Sequence, residues 1–151
     1  MKYMPFFFDL NGRPCVFVGG GSIATRKARL LAKAGARLIV IAPYITGEMQ
    51  HLVQQTGGEC HQREFESEDL TLGELIICAT DNAAVNQRVS KQAQAKKLPV
   101  NVVDSPSLCS IITPAIVDRS PLMIAITSGG EAPVLARQVR TAPPATSRPI
   151  R

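Results

Sequence analysis

Three small residues, Gly19, Gly21 and Ala24, stand at the spacing at which a bare backbone can hold a diphosphate. The first lets the chain turn sharply, the second removes the side chain that would hold a pyrophosphate off the backbone, and the third lets a helix pack close to a strand. Arg26 and Lys27 follow at once. In a first helical turn they oppose the helix dipole unless an anion is near; otherwise they swing into solvent at a cost of roughly a few tenths of a kcal/mol. Asp104, in Asp104-Ser105-Pro106, is the candidate acid. A carboxylate there can accept a proton, or the three residues can be a plain turn.

These residues need a frame. Cys15–Val18 is a short apolar run that passes into Gly19-Gly20-Gly21 and then into Thr25–Ala34, whose apolar residues recur at helical spacing. The helix N-terminus would offer unpaired N–H groups and partial positive charge to phosphates. The same strand, turn and helix also occur in α/β proteins that bind no nucleotide. Gly35 stops the helix, and Arg37–Ile41 reads as a second strand. Where many NAD-binding domains place an acid on the ribose, this chain has Ala42-Pro43-Tyr44. Ribose contacts then fall to backbone near Pro43 and Tyr44, and no arginine follows to support a 2′-phosphate.

Glu48–Gln55 reads as a short helix closed by Gly57-Gly58, and Cys60–Phe65 as a polar edge strand. Leu75–Ala79 has the continuous apolar character of a buried parallel strand. Thr80-Asp81-Asn82 follows with helix-capping composition, and Ala83–Ala95 as a helix. Thr80 and Asp81 therefore sit at a strand's carboxyl end, where open α/β sheets bind ligands, although Asp81 serves equally well as a cap. Val100–Val103 makes the next buried strand. This alternation predicts an α/β fold with a Rossmann-like, doubly wound parallel sheet over residues 1–113. Phe6-Phe7-Phe8 is expected to pack over the sheet edge.

Beyond Thr113 the pattern changes. Ser110–Val117 and Leu122–Thr127 are strand-like and separated only by Asp118–Pro121, which permits antiparallel pairing but no parallel crossover. Ser128-Gly129-Gly130 forms another glycine turn, and a helix is expected from about Pro133 to Arg140. Residues 114–140 read as a smaller, partial α+β element and 141–151, whose composition collapses to Thr, Ala, Pro, Ser and Arg, as a disordered tail.

The chain has 151 residues, 17 basic against 12 acidic, and a net charge of +5. That favours an anionic partner, and without basic blocks interleaved with aromatics a small polyanion suits it better than nucleic acid. Cys15, Cys60, Cys78 and Cys109 are too scattered for a disulfide frame or zinc site, and His51 and His61 lack further ligands at metal-binding spacing. No signal peptide or membrane span is legible, so a cytoplasmic location is expected. Neither Tyr3 nor Tyr44 has a lysine four residues on, and no Gly-x-Ser-x-Gly nucleophile is present.

Several further motifs accompany the turn: Ala24-Thr25-Arg26-Lys27, Ala79-Thr80-Asp81, Val85–Val89, Asn101-Val102-Val103-Asp104, Ile116–Leu122, Ser128-Gly129-Gly130 and Pro133–Arg137. Together they resemble the precorrin-2 dehydrogenase/sirohydrochlorin ferrochelatase module of the bacterial siroheme synthase family, from about Met4 to Arg140. The resemblance implies siroheme biosynthesis: NAD-dependent oxidation of precorrin-2 to sirohydrochlorin, then Fe2+ insertion. It implies Asp104 as the acid/base residue of both steps and NAD contacts at Gly21, Ser22, Ile23, Pro43, Tyr44 and Thr80, beside Gly19 of the turn. Ser128 matches a serine near the tetrapyrrole site that is phosphorylated in some members, or is only a turn hydroxyl. The family pattern implies a homodimer built on the second domain and no resident metal.

The resemblance departs at Thr141, where family members continue with a helical segment and, in long forms, an S-adenosylmethionine-dependent methyltransferase. A chain ending here is expected to dimerise weakly and to support both activities below full rate. Two other readings remain at this point: a non-catalytic NAD sensor domain and an inactive remnant.

Overall fold

The structure, a computed structural model, describes residues 1–129 together with Gln138 and Thr141. The helix expected from about Pro133 and the tail from Thr141 fall almost wholly outside the described residues. Two compact units are present, Phe6–Ile111 and Met1–Pro5 with the residues from Ile112 onward.

In the larger unit, β1 (Pro14–Val18) leads into α1 (Ser22–Lys33), β2 (Arg37–Ile41), α2 (Gly47–Gln55) and β3 (Glu59–His61). A 3-10 helix, Ser67–Leu72, then precedes β4 (Leu75–Cys78), α3 (Ala83–Ala95) and β5 (Val100–Val102). All five strands are parallel, in the order β3-β2-β1-β4-β5. β1 is central because Val16, Phe17 and Cys15 are wholly buried and Val18 nearly so. Alternate residues feed two cores. Cys15, Phe17, Leu38 and Val40 meet the buried faces of α1 and α2, while Val16, Ile39, Ile41 and Ile76 meet Val89 and Ala93 of α3. This is the doubly wound sheet expected from the alternation of strands and helices.

The differences are local. α1 begins at Ser22, one turn before the expected start, because Gly21 is its N-cap with extended backbone. Arg26 and Lys27 are therefore in its second turn, where the dipole argument weakens. The strand expected over Cys60–Phe65 ends at His61, since Phe65 leaves the edge to bury itself in the second core, 6% exposed. Phe6, Phe7 and Phe8 do not cover the sheet edge: they are 83%, 70% and 56% exposed. No described element lies over them, although the Arg13 guanidinium stands 5.7 Å from the Phe8 ring.

In the smaller unit β6 (Ala115–Arg119) and β7 (Leu122–Ile126) pair antiparallel, as the short connection requires. The strand expected from Ser110 starts only at Ala115. Ser110 and Ile111 instead bond to β5, their N–H groups donating to the Val100 carbonyl at 2.9 and 3.2 Å. Among the described residues no helix is long and apolar enough to cross a membrane.

Candidate dinucleotide site

The strand order reverses between β1 and β4, and the crevice at their carboxyl ends is where open α/β sheets take ligands. A cavity of about 410 Å³ occupies it. Gly19, Gly21, Ser22 and Ile23 line its floor from the β1–α1 turn, Pro43 and Tyr44 its β2 side, and Thr80 its β4 side. The structure thus brings together all seven residues singled out for a cofactor.

The glycines of the turn answer to different constraints. Gly19 has φ +117, and a Cβ on it would stand 2.2 Å from the Ala79 carbonyl oxygen. Its N–H donates to the Ile41 carbonyl at 3.0 Å, so the turn crosses the sheet in close contact on both sides. Gly20, which the motif leaves unrestricted, is equally confined: its Cβ would be 2.7 Å from the Tyr44 carbonyl oxygen. A Cβ on Gly21 would meet nothing within 4 Å.

The open space at Gly21 faces the start of α1, where no side chain caps the helix and no acid occupies the first turn. The N–H groups there are left for an external anion. Ala24 is fully buried, as close helix packing demands. Thr25 fixes the turn from behind, its hydroxyl donating to the Gly21 carbonyl at 2.8 Å and meeting the Thr46 hydroxyl at 3.1 Å. Ile23 and Tyr44 are 46% and 70% exposed at the cavity, apolar surface suited to a planar ligand. These features fit a dinucleotide.

At the β4 side, Thr80 is held by Asn86 of α3. The Thr80 hydroxyl is 2.6 Å from Asn86 Oδ1, and Asn86 Nδ2 donates to the Thr80 carbonyl at 3.1 Å. Cys78 Sγ lies 3.1 Å from the same Oδ1. Burial pushes the Cys78 thiol up to about 12, so it stays protonated and donates. Asn82 caps α3 by accepting from the Ala84 and Val85 N–H groups. Asp81 is not the cap and instead lines the cavity. Asn86 was missed as a site residue because nothing in a helix-face asparagine signals a partner six residues upstream.

Asp104 follows β5 in the left-handed region, φ +59, exposed and outside the cavity lining. Lys27 of α1 stands near it. Burial lowers the Lys27 ammonium, while Cys109 and Asp104 favour its charged form and Arg26 opposes it. The Cys109 thiol is raised by burial, though the Val102 N–H donates to it at 3.1 Å. Ser128 belongs to the smaller unit, half-buried, in the turn where the Gly129 N–H donates to the Thr127 hydroxyl at 3.1 Å. Among the described residues no group of three or more His, Cys, Asp or Glu side chains is arranged to hold a metal.

A protein-family model described as "Putative NAD(P)-binding" matches residues 6–115. The siroheme synthase of Saccharophagus degradans is 58% identical over 141 residues, which are 93% of this chain and 31% of that one. The siroheme synthase of Pseudomonas aeruginosa is 56% identical over 140 residues, 93% of this chain and 30% of that one. This chain therefore spans about three tenths of the length of the curated relatives it matches. Among solved structures, SirC, a precorrin-2 dehydrogenase, superposes with a TM-score of 0.78 at 30% identity, covering 91% of this chain and 68% of that one.

Proposed function

The chain belongs to the NAD(P)-binding family and is similar to SirC, a precorrin-2 dehydrogenase, and on that premise we propose that it works in siroheme biosynthesis. It oxidises precorrin-2 to sirohydrochlorin with NAD and inserts Fe2+ into the product. The observation that carries this reading is the kinship with SirC over a cavity whose turn is bare at Gly21 and open to a diphosphate.

Bound NAD supplies the hydride acceptor. The chain would supply the rest: Gly19, Gly21, Ser22 and Ile23 would hold the diphosphate, and Pro43, Tyr44 and Thr80 would hold the remainder of the cofactor. Asp104 takes the proton that leaves precorrin-2 as the hydride departs, and during insertion it takes pyrrole N–H protons displaced by Fe2+. Fe2+ is here a substrate. The net charge of +5 suits a tetrapyrrole bearing eight carboxylates. Ser128 borders that substrate, and its modification would regulate access. Residues 1–113 form the NAD domain and 114–140 part of a dimerisation domain, in a cytoplasmic homodimer.

Mixing the chain with NAD+ and precorrin-2 and following sirohydrochlorin absorbance tests the dehydrogenase. Turnover is expected, and addition of Fe2+ to sirohydrochlorin without NAD should then yield siroheme. Intact NADH binding with no turnover would favour a sensor domain, a reading to which the position of Asp104 outside the cavity lining lends weight.

A further inference from the structure

The cavity has no acid on the segment after β2, but it has one on the segment that follows the neighbouring strand β3. Ile41 and His61 are register partners in β2 and β3, and the ladder continues as the Ala42 N–H donates to the His61 carbonyl at 3.2 Å. Pro43 and Tyr44 leave the sheet just beyond Ile41, and Glu64 and Phe65 just beyond His61. All four line the cavity. In a doubly wound sheet the adenosine ribose lies over the end of the second strand, so Glu64 reaches the cavity from the segment that follows the neighbouring strand.

The segment that carries Glu64 is held in place. The Arg63 guanidinium donates to the Glu64 carbonyl at 3.0 Å, and Arg88 donates to the Phe65 carbonyl at 2.8 Å while standing 5.1 Å from the Phe65 ring. The Glu64 carboxylate itself has no hydrogen bond or ion pair among the described residues. The ionisable residues of the lining are Glu64, Asp81 and Tyr44, with no Lys, Arg or His. An otherwise basic chain thus presents only acids to its ligand here.

We propose that Glu64 is the specificity-determining residue of the dinucleotide site: its carboxylate accepts from the adenosine ribose hydroxyls and repels a 2′-phosphate, selecting NAD over NADP. The assignment rests on the reading of the cavity as a dinucleotide site and adds the group that discriminates. A hydroxyl at the ribose 2′ position donates to a carboxylate, whereas a phosphate brings a second negative charge against it, with no cation among the lining residues to offset the repulsion and Arg63 already engaged with Asp69.

Titration of the full chain with NAD+ and with NADP+, read by calorimetry at low and at high salt, tests this. Wild type should prefer NAD+ by about tenfold or more, and the preference should shrink at high salt because screening weakens like-charge repulsion. Glu64→Gln should bring the ratio of the two dissociation constants at least about fivefold closer to one, with NADP+ binding tighter and NAD+ weaker. Its melting temperature should match wild type, since the carboxylate supports no other side chain. An unchanged ratio with NAD+ binding intact, or a wild type that prefers NADP+, overturns the assignment of Glu64 alone. Binding of neither dinucleotide by wild type overturns the reading of the cavity and the assignment with it.

Discussion

Gly19 and Gly21 belong to one turn yet are required for opposite reasons. A methyl on Gly19 collides with the Ala79 carbonyl and must adopt φ +117, so Gly19→Ala should destabilise the fold by ~1–3 kcal/mol or more. A methyl on Gly21, at φ −80 and in open space, should leave the melting temperature within a degree or two. It should weaken NAD binding by about tenfold or more, or ~1.4 kcal/mol, because it occupies the place of the diphosphate. Thermal unfolding and NAD titration of both variants separate the two effects. Asp104 calls for Asn rather than Ala as its probe, since Asn tolerates the left-handed backbone and Ala does not. Asp104→Asn should abolish sirohydrochlorin formation while NAD affinity stays within about twofold; equal loss of both would mean a structural role. The small-residue spacing of the turn was legible because local backbone geometry dictates it. Glu64 was not, because its position depends on which strand lies beside β2, and no local pattern carries that.

At the scale of elements, β2 and α3 match their expected bounds to the residue, and β1 and β4 match within one residue at one end. Strands buried on both faces must be apolar throughout, and α3 has a clear cap. Asn82→Ala should cost about 1 kcal/mol in a denaturation experiment by freeing the Ala84 and Val85 N–H groups. The segment after β3 was misread because its order comes from side chains. Asp69 is 3% exposed and accepts from both Arg63 guanidinium nitrogens, at 2.9 and 2.7 Å, and from the Glu66 N–H at 2.8 Å. Burial alone would raise the Asp69 carboxyl, but the Arg63 and Glu66 hydrogen bonds outweigh it and hold the group below its ordinary value. A carboxyl lowered on folding contributes stability above its unfolded pKa of about 3.9 and loses it as pH falls through the folded value. Asp69→Asn should therefore lower the melting temperature at neutral pH by a few degrees, and the gap from wild type should close in acid. The exposed Phe6–Phe8 run shows the opposite limit of sequence reading: apolar residues announce a need for cover without saying what provides it.

At the scale of the molecule, the smaller unit exposes apolar side chains on both faces of β7, Leu122 and Ile124 on one and Met123 on the other, at 62%, 44% and 47%. A two-stranded hairpin by itself is marginal in water, which supports the proposal that a second copy packs against the β6–β7 pair. Ile124→Glu should raise the dimer dissociation constant by about tenfold or more in sedimentation experiments, while NAD binding should stay the same, since the candidate cavity is lined by residues of the larger unit. The larger unit carries a different obligation during its own synthesis. β1 is paired on one side by β2, made soon after it, and on the other by β4, which spans residues 75–78. Until the ribosome has released those residues, the nascent chain holds a half-built sheet whose central strand has one edge unpaired. Ribosome-stalled chains ending before residue 75 should therefore be cleaved readily by added protease and engage chaperones. Chains in which β5 has also emerged should resist digestion.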